Sequence, residues 1–432
     1  MAETKVSFRQ IDQIFFVLFF VSWLNSLLGL LFYVALMLYW QYGAEGGLKA
    51  LIFLTTRGIL SAAVAATPMF PSIRWVIIIG SSLMIFFNAR LSGKNKDKFN
   101  IVVLCVIGFD FVGVVSCFYI CSYPVTSLFK MLCYSVAFLA VLLSIGATSR
   151  RIDWKKFVLT LYVPLFFISF FLIPFSRFRI VNNDFQGVFN HVNMFGIVAA
   201  VIITFLLGAD VFEKHKMARI LIVLAMVIMI FLSASRTGMF TSLGAILLYV
   251  FINKKSVAKK VLYIAIVGSI IFLLISFNND FSDVVSEFVF KQGEESIWYS
   301  RQDIIATYKE HYSVSQLLGT GFLVPYVNGM VDFGLYFDLT VEPGNMFWML
   351  LGDLGILGLL SFVLMILLIC KMGTVSKLYM LATPLLICMG EMVFFNPNNI
   401  SILLYTLIGL YLFDGNCMEI YDERGKKQNR VD

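Results

Sequence analysis

The chain has 432 residues, 60% of them hydrophobic and 14% charged, with a mean hydropathy of +0.88 and a formal net charge of +7. Globular chains carry about 25% charged residues, so this composition excludes a dispersed, water-soluble fold. The basic excess falls in short clusters between apolar runs, where it sets membrane topology rather than marking a nucleic-acid partner.

Apolar runs near the ~20 residues that cross a bilayer's hydrocarbon core recur along almost the whole length. They read as 14–40, 48–66, 73–89, 101–121, 127–147, 157–175, 192–212, 219–234, 237–253, 261–277, 346–370, 377–394 and 399–413. The first is too long for one crossing and short for two, and Asn25 and Gly29 lie near its middle, where a tight hairpin fits. The expectation is an all-α, polytopic integral membrane protein of about 13–14 transmembrane helices, a single membrane domain over residues 1–432. No small-residue cleavage site follows the stretch from Ile14, so it reads as a span, not a signal peptide.

Six basic segments fall on one face with these spans: Arg90–Lys98, Arg150–Lys156, Lys214–Arg219, Lys254–Lys260, Lys371–Lys377 and the tail at 414–432. That face is expected to be cytoplasmic, and Lys5 and Arg9 join it if the first run is a hairpin. The opposite face receives 176–191, the turn Ser235–Gly238, Asn396–Asn399 and a large extracytoplasmic loop at 278–345. Helical spacing of Ile304, Ile305 and Tyr308 predicts a helix lying on the membrane surface within that loop. A loop this long is usually functional.

Arginines on the outer face run against the topological bias. They are Arg177 and Arg179 after a span, Arg236 in a turn of almost no length, and Arg301 in the loop. Each can merely snorkel. Together, their planar donor forks suit the oxygens of a pyrophosphate. Glu342, just before a span, is a candidate general base, and His191 is the only histidine at an outer span entrance. The seven cysteines show neither a disulfide framework nor metal-site spacing with histidine, so no metal and no cofactor are expected. Asp110, Asp353, Glu391 and Arg57 are scattered intramembrane polar residues of the kind that transporters use. No half-to-half repeat accompanies them.

Four segments, in order, resemble the O-antigen polymerase and ligase superfamily of bacterial envelope polysaccharide assembly. They are Gly187-Val188-Phe189-Asn190-His191-Val192-Asn193-Met194-Phe195-Gly196, the turn Leu232-Ser233-Ala234-Ser235-Arg236-Thr237-Gly238, and Ser300-Arg301 with Leu318-Gly319-Thr320-Gly321-Phe322. The last is the spacing from Asn345 to Gly355 and Gly358. In the ligase branch a histidine thought to be catalytic precedes that asparagine, and here the residue is Gly344.

The resemblance implies a metal-independent glycosyltransferase acting on polyprenyl-pyrophosphate-linked oligosaccharides. It joins repeat units of an O-antigen, capsule or exopolysaccharide at the outer face of the plasma membrane. It further implies Arg236 and Arg301 as pyrophosphate contacts with Arg177 or Arg179 as a third, and Glu342 or His191 as the base. Asn193 and Asn345 fall at family positions, while Trp298 and Tyr299 offer ring faces to sugars. Expected partners are the lipid-linked glycan, membrane lipids, and chain-length regulator and flippase proteins, with no nucleic acid. The alternatives are a ligase moving finished polymer to a lipid or protein acceptor and, from another class, a lipid-linked oligosaccharide flippase.

Overall fold

The computed structural model describes residues 9–175, 184–209, 215–253, 302–337, 339 and 344–414. These form fourteen α-helices. The first seven are α1 (Gln10–Val21), α2 (Ser26–Leu36), α3 (Gly43–Gly58), α4 (Ile73–Asn88), α5 (Gly93–Tyr119), α6 (Pro124–Thr148) and α7 (Trp154–Leu172). There follow α8 (Val192–Leu207), α9 (Lys216–Leu232), α10 (Arg236–Asn253), α11 (Gln302–Val314), α12 (Met346–Met372), α13 (Leu378–Gly390) and α14 (Ser401–Phe413). Among the described residues six helical stretches are long and apolar enough to cross a membrane, and five shorter ones are apolar. The chain is an all-α polytopic membrane protein. The span expected at 261–277, together with Arg177, Arg179, Trp298, Tyr299, Arg301 and Glu342, lies outside the described residues.

The first apolar run is a hairpin. Asn25 turns the chain and caps α2, its Oδ1 accepting from the Leu28 amide at 2.8 Å. Two helices form the centre. Fourteen of the sixteen residues of α8 are buried, as are all thirteen of α14. Helices that are apolar on every side belong inside a bundle, so neither needs the length of a lipid-facing span.

Polar contacts sort the two ends of the bundle. At one end Lys98 donates to the Leu412 carbonyl, Lys155 and Lys377 meet Asp414, and Arg9, Arg90 and Arg151 line a common cleft. Among the described residues Arg90, Lys98, Arg151, Lys155 and Lys377 thus share an end, and Arg9 joins them because the first run is a hairpin. At the other end the Ser61 amide donates to Val188, Asn190 to Ile59, and Asp332 to Ser122. Several buried charged groups inside are partnered. Asp110 accepts from Ser135 at 2.7 Å, Lys49 bridges Asp12 and Glu45, and Arg57 caps the carbonyls of Ser22 and Ala66.

Helix α12 is interrupted. Gly355 has φ 63° and ψ −166°, splitting an apolar stretch of 27 residues into two helical halves that meet at a kink. A break inside a membrane frees backbone groups that lipid cannot satisfy. The segment 315–323 supplies the partners. Thr320 and Gly321 donate to the carbonyls of Gly352 and Asp353 at 3.0 and 2.9 Å, and the amides of Ile356 and Leu357 donate to Gln316 and Leu317. A Cβ on Gly355 would strike the Leu317 backbone, and one on Gly319 (φ 69°) the Asp353 backbone.

The loop helix exists as α11. It docks on α12, with Tyr308 and His311 buried against Gly352 and Lys309 over the Trp348 ring at 5.2 Å. An isolated helical period cannot tell a lipid surface from a protein neighbour.

Gly355→Ala is expected to cost about 2–4 kcal/mol, since it adds a left-handed penalty to a backbone collision. Unfolding in detergent checks this against Gly108→Ala, where a new Cβ meets nothing within 4 Å. Burial holds His311 below the ordinary imidazole value of 6.5, against the opposing pull of Glu310. The folded state therefore binds its proton less readily than the unfolded one, and stability is lost as pH falls below about 6.5. Amide protection factors in α11, corrected for the intrinsic exchange rate at each pH, should fall under that acidification in the native protein and stay level in His311→Gln.

Candidate functional site

The motif glycines set the frame. Gly196, one turn into α8, faces Gly238, in the first turn of α10, so closely that a Cβ on Gly238 would lie 2.5 Å from the Gly196 carbonyl carbon. Ser235 fills the remaining contact, and Ala234, at φ 49°, turns the chain sharply into α10. Small residues let membrane helices approach this closely. The consequence is positional: His191 and Asn193 at the start of α8 and Arg236 at the start of α10 lie at one end of the bundle.

A third helix start joins them. Asn345 caps α12, its Oδ1 accepting from the amides of Phe347 and Trp348 at 2.9 and 3.3 Å. Its Nδ2 donates to the Met389 carbonyl at 2.8 Å. A methyl on the next residue, Gly390, would collide with Thr237 of α10. The residue after that, Glu391, accepts from Asn193 Nδ2 at 2.9 Å. Three consecutive residues at the end of α13 are therefore touched in turn by the N-terminal turns of α12, α10 and α8. Helix N-termini carry partial positive charge and unsatisfied amides, and they attract anions.

A cleft of about 590 Å³ opens beside this junction. His191, Asn193, Gly344 and Glu391 line it, as do Asn396–Asn399 and Lys130 of α6. His191 caps α8 through Nδ1, which accepts from the Asn193 amide at 3.1 Å, so in the neutral ring the proton sits on Nε2. Trp75 and Phe337 also line the cleft. Phe129 stands between them, in edge-to-face contact with each at centroid distances of 5.3 and 5.4 Å. Such an array offers apolar faces of the kind sugar rings stack on. Among the described residues no three His, Cys, Asp or Glu side chains group as metal ligands would.

Of the residues singled out from sequence, His191 and Asn193 come together in the cleft, Asn345 caps its neighbouring helix, and Arg236 opens α10. Lys130 was missed, although a lysine six residues into a span is itself a signal. Glu391 was noted only as a stray intramembrane acid, yet it is the carboxylate that lines the cleft.

Residues 221–363, from α9 through the break in α12, match the family model described as O-antigen ligase. Over this stretch the chain is similar to the O-antigen polymerase and ligase superfamily, in line with the resemblance read from its motifs. No curated protein matches the chain. The superfamily match ends before Glu391 and begins after His191, so the cleft combines residues inside and outside it.

Asn345→Ala should destabilise the fold by about 1–3 kcal/mol, because it removes both the cap and the donor to Met389. Asn345→Asp should regain the cap portion alone, as read by chemical unfolding of the two variants side by side.

Proposed function

We propose that the chain is a polymerase of polyprenyl-pyrophosphate-linked repeat units, working at the extracytoplasmic face of a bacterial plasma membrane. The family's members are glycosyltransferase-like enzymes. The observation that carries the finer reading is the meeting of three helix N-termini beside a cleft that holds Lys130, His191 and Glu391. In the reaction an acceptor sugar hydroxyl attacks the anomeric carbon of the lipid-linked glycan. The bond to the pyrophosphate oxygen breaks, the electron pair leaves with the pyrophosphate, and the hydroxyl proton passes to a base.

Charge develops on the leaving group, so donors fixed in advance lower the barrier. The helix starts and Arg236 supply such donors on this reading, joined by Arg301 and by Arg177 or Arg179. Glu391, oriented by Asn193, is the carboxylate within the cleft that takes the proton, with Glu342 and His191 as the alternatives. Chain-length regulators and flippases are the proposed partners. The basic end of the bundle faces the cytoplasm, and the cleft faces outward.

The family description favours a ligase, which would move finished polymer to another acceptor. Gly344 stands where the ligase branch carries its histidine, and this supports the polymerase. A flippase loses its motive because Asp110, Asp353 and Arg57 each have partners inside the protein.

The length distribution of lipid-linked and surface glycans in cells lacking the protein tests the reading. Single repeats, free or capping the surface, are expected, whereas full-length polymer stranded on its carrier would mean a ligase. Arg236→Gln and Glu391→Gln should each lower polymerisation by roughly 10²–10³-fold with membrane insertion intact.

A further inference from the structure

Leu323 lines the cleft in a left-handed backbone conformation, φ 54°, that residues with a Cβ rarely adopt. Such a conformation persists only where the surroundings over-determine it, and it clusters at ligand-binding positions. Here both sides of the residue are held by ionisable groups. Its amide donates to Asp353 Oδ2 at 2.8 Å, and its carbonyl accepts from Lys130 Nζ at 2.6 Å. The same ammonium donates to the Leu339 carbonyl at 2.5 Å, so one side chain joins the two ends of the segment 323–339.

The three preceding amides are also engaged. Thr320 and Gly321 donate to Gly352 and Asp353, and Phe322 donates to Ser127 Oγ at 2.8 Å. Asp353 is fully buried at the break in α12, where a charged group is retained only at a cost. An apolar residue would fill the space as well but would leave the Leu323 amide without an acceptor.

We propose that Lys130 and Asp353 are positioning residues. They clamp Leu323 in its left-handed state and so hold the cleft wall 323–339 on which the acceptor glycan is seated. The proposal rests on the polymerase reading for the identity of what is seated. That wall carries Phe337, next to Phe129 and Trp75, and so presents apolar rings for sugar faces. The helix starts that suit a pyrophosphate belong to other segments, α8, α10 and α12, which assigns this wall to the acceptor rather than to the leaving group.

The full chain in proteoliposomes tests this, with lipid-linked single repeats from a strain lacking the protein as acceptor and preformed lipid-linked polymer as donor. Lys130→Met and Asp353→Ala should raise the acceptor KM roughly 10–100-fold while kcat moves less than about threefold, since a displaced wall weakens seating without touching the reacting atoms. Amide exchange across 321–339 should accelerate in both. Asp353→Asn, which keeps an acceptor for the Leu323 amide, should stay near the native values. Glycine takes the left-handed state without a clamp, so Leu323→Gly combined with Lys130→Met should recover most of the loss.

Unchanged exchange, or faster exchange with untouched kinetics, would overturn the clamp. Failure of Leu323→Gly to recover Lys130→Met would overturn it as well, showing a direct contact of Lys130 with substrate. If Asp353→Ala does not insert, Lys130→Met decides. If the native protein forms no glycosidic bond at all, the polymerase reading falls, and the exchange measurement alone judges the clamp.

Discussion

A hydrocarbon slab offers no hydrogen bonds, so a helix broken inside it must find partners in the protein. The left-handed Gly355 breaks α12, and the segment 315–323 answers the freed carbonyls and amides one by one. The cleft wall follows from this match. Once Thr320 and Gly321 are bound to Gly352 and Asp353, Leu323 falls beside the Asp353 carboxylate and the Lys130 ammonium. The wall from 323 to 339 then has fixed ends. Its middle is tied to the start of α6 through Ser122 and Thr126. A surface loop is thereby drawn into the bundle and made part of the cleft.

The same economy governs charge. Buried charges in membrane domains survive when they are paired or when they cap backbone carbonyls. At the basic end Arg9, Lys49, Asp12 and Glu45 form one paired set, and Lys155, Lys377 and Asp414 another. At the cleft end the arrangement differs. Asn193 and Asn345 reach across to the terminus of α13 with amide groups, and the helix starts themselves carry the positive potential.

Much of the fold was legible because hydrophobic length and basic clusters answer to the bilayer directly. The hairpin at Asn25 followed from a run too long for one crossing, and the placement of Arg9 with the other basic residues followed from the hairpin. The motif glycines were legible as positions but not as causes. Gly196 and Gly238 meet each other across 42 residues of chain, and no local pattern states which backbone a missing Cβ admits. The docking of α11 was hidden for a related reason, since Tyr308 and His311 look amphipathic whether they face lipid or α12. Lys130 and Glu391 were hard to rank because their meaning comes from segments far off in sequence: 323–339 for one, α8 for the other.

The superfamily spacing from Asn345 to Gly355 and Gly358 acquires a physical meaning of its own. Asn345 starts the first half of α12 and ties it to α13. Ten residues later Gly355 provides the break that receives 315–321, and Gly358 sits tightly against Leu354. These are requirements of backbone geometry, and a change of reaction need not disturb them. Gly344 shows how the two separate. It lines the cleft at φ 61°, a conformation open to glycine and one that histidine tolerates better than most residues. The resemblance places a histidine here in the ligase branch, whereas Gly344 brings no side chain to the cleft. On the polymerase reading proposed above, proton transfer falls to a carboxylate such as Glu391. The broken helix is thus a requirement of this chain's backbone, whereas the titratable group beside it belongs to the proposed reaction.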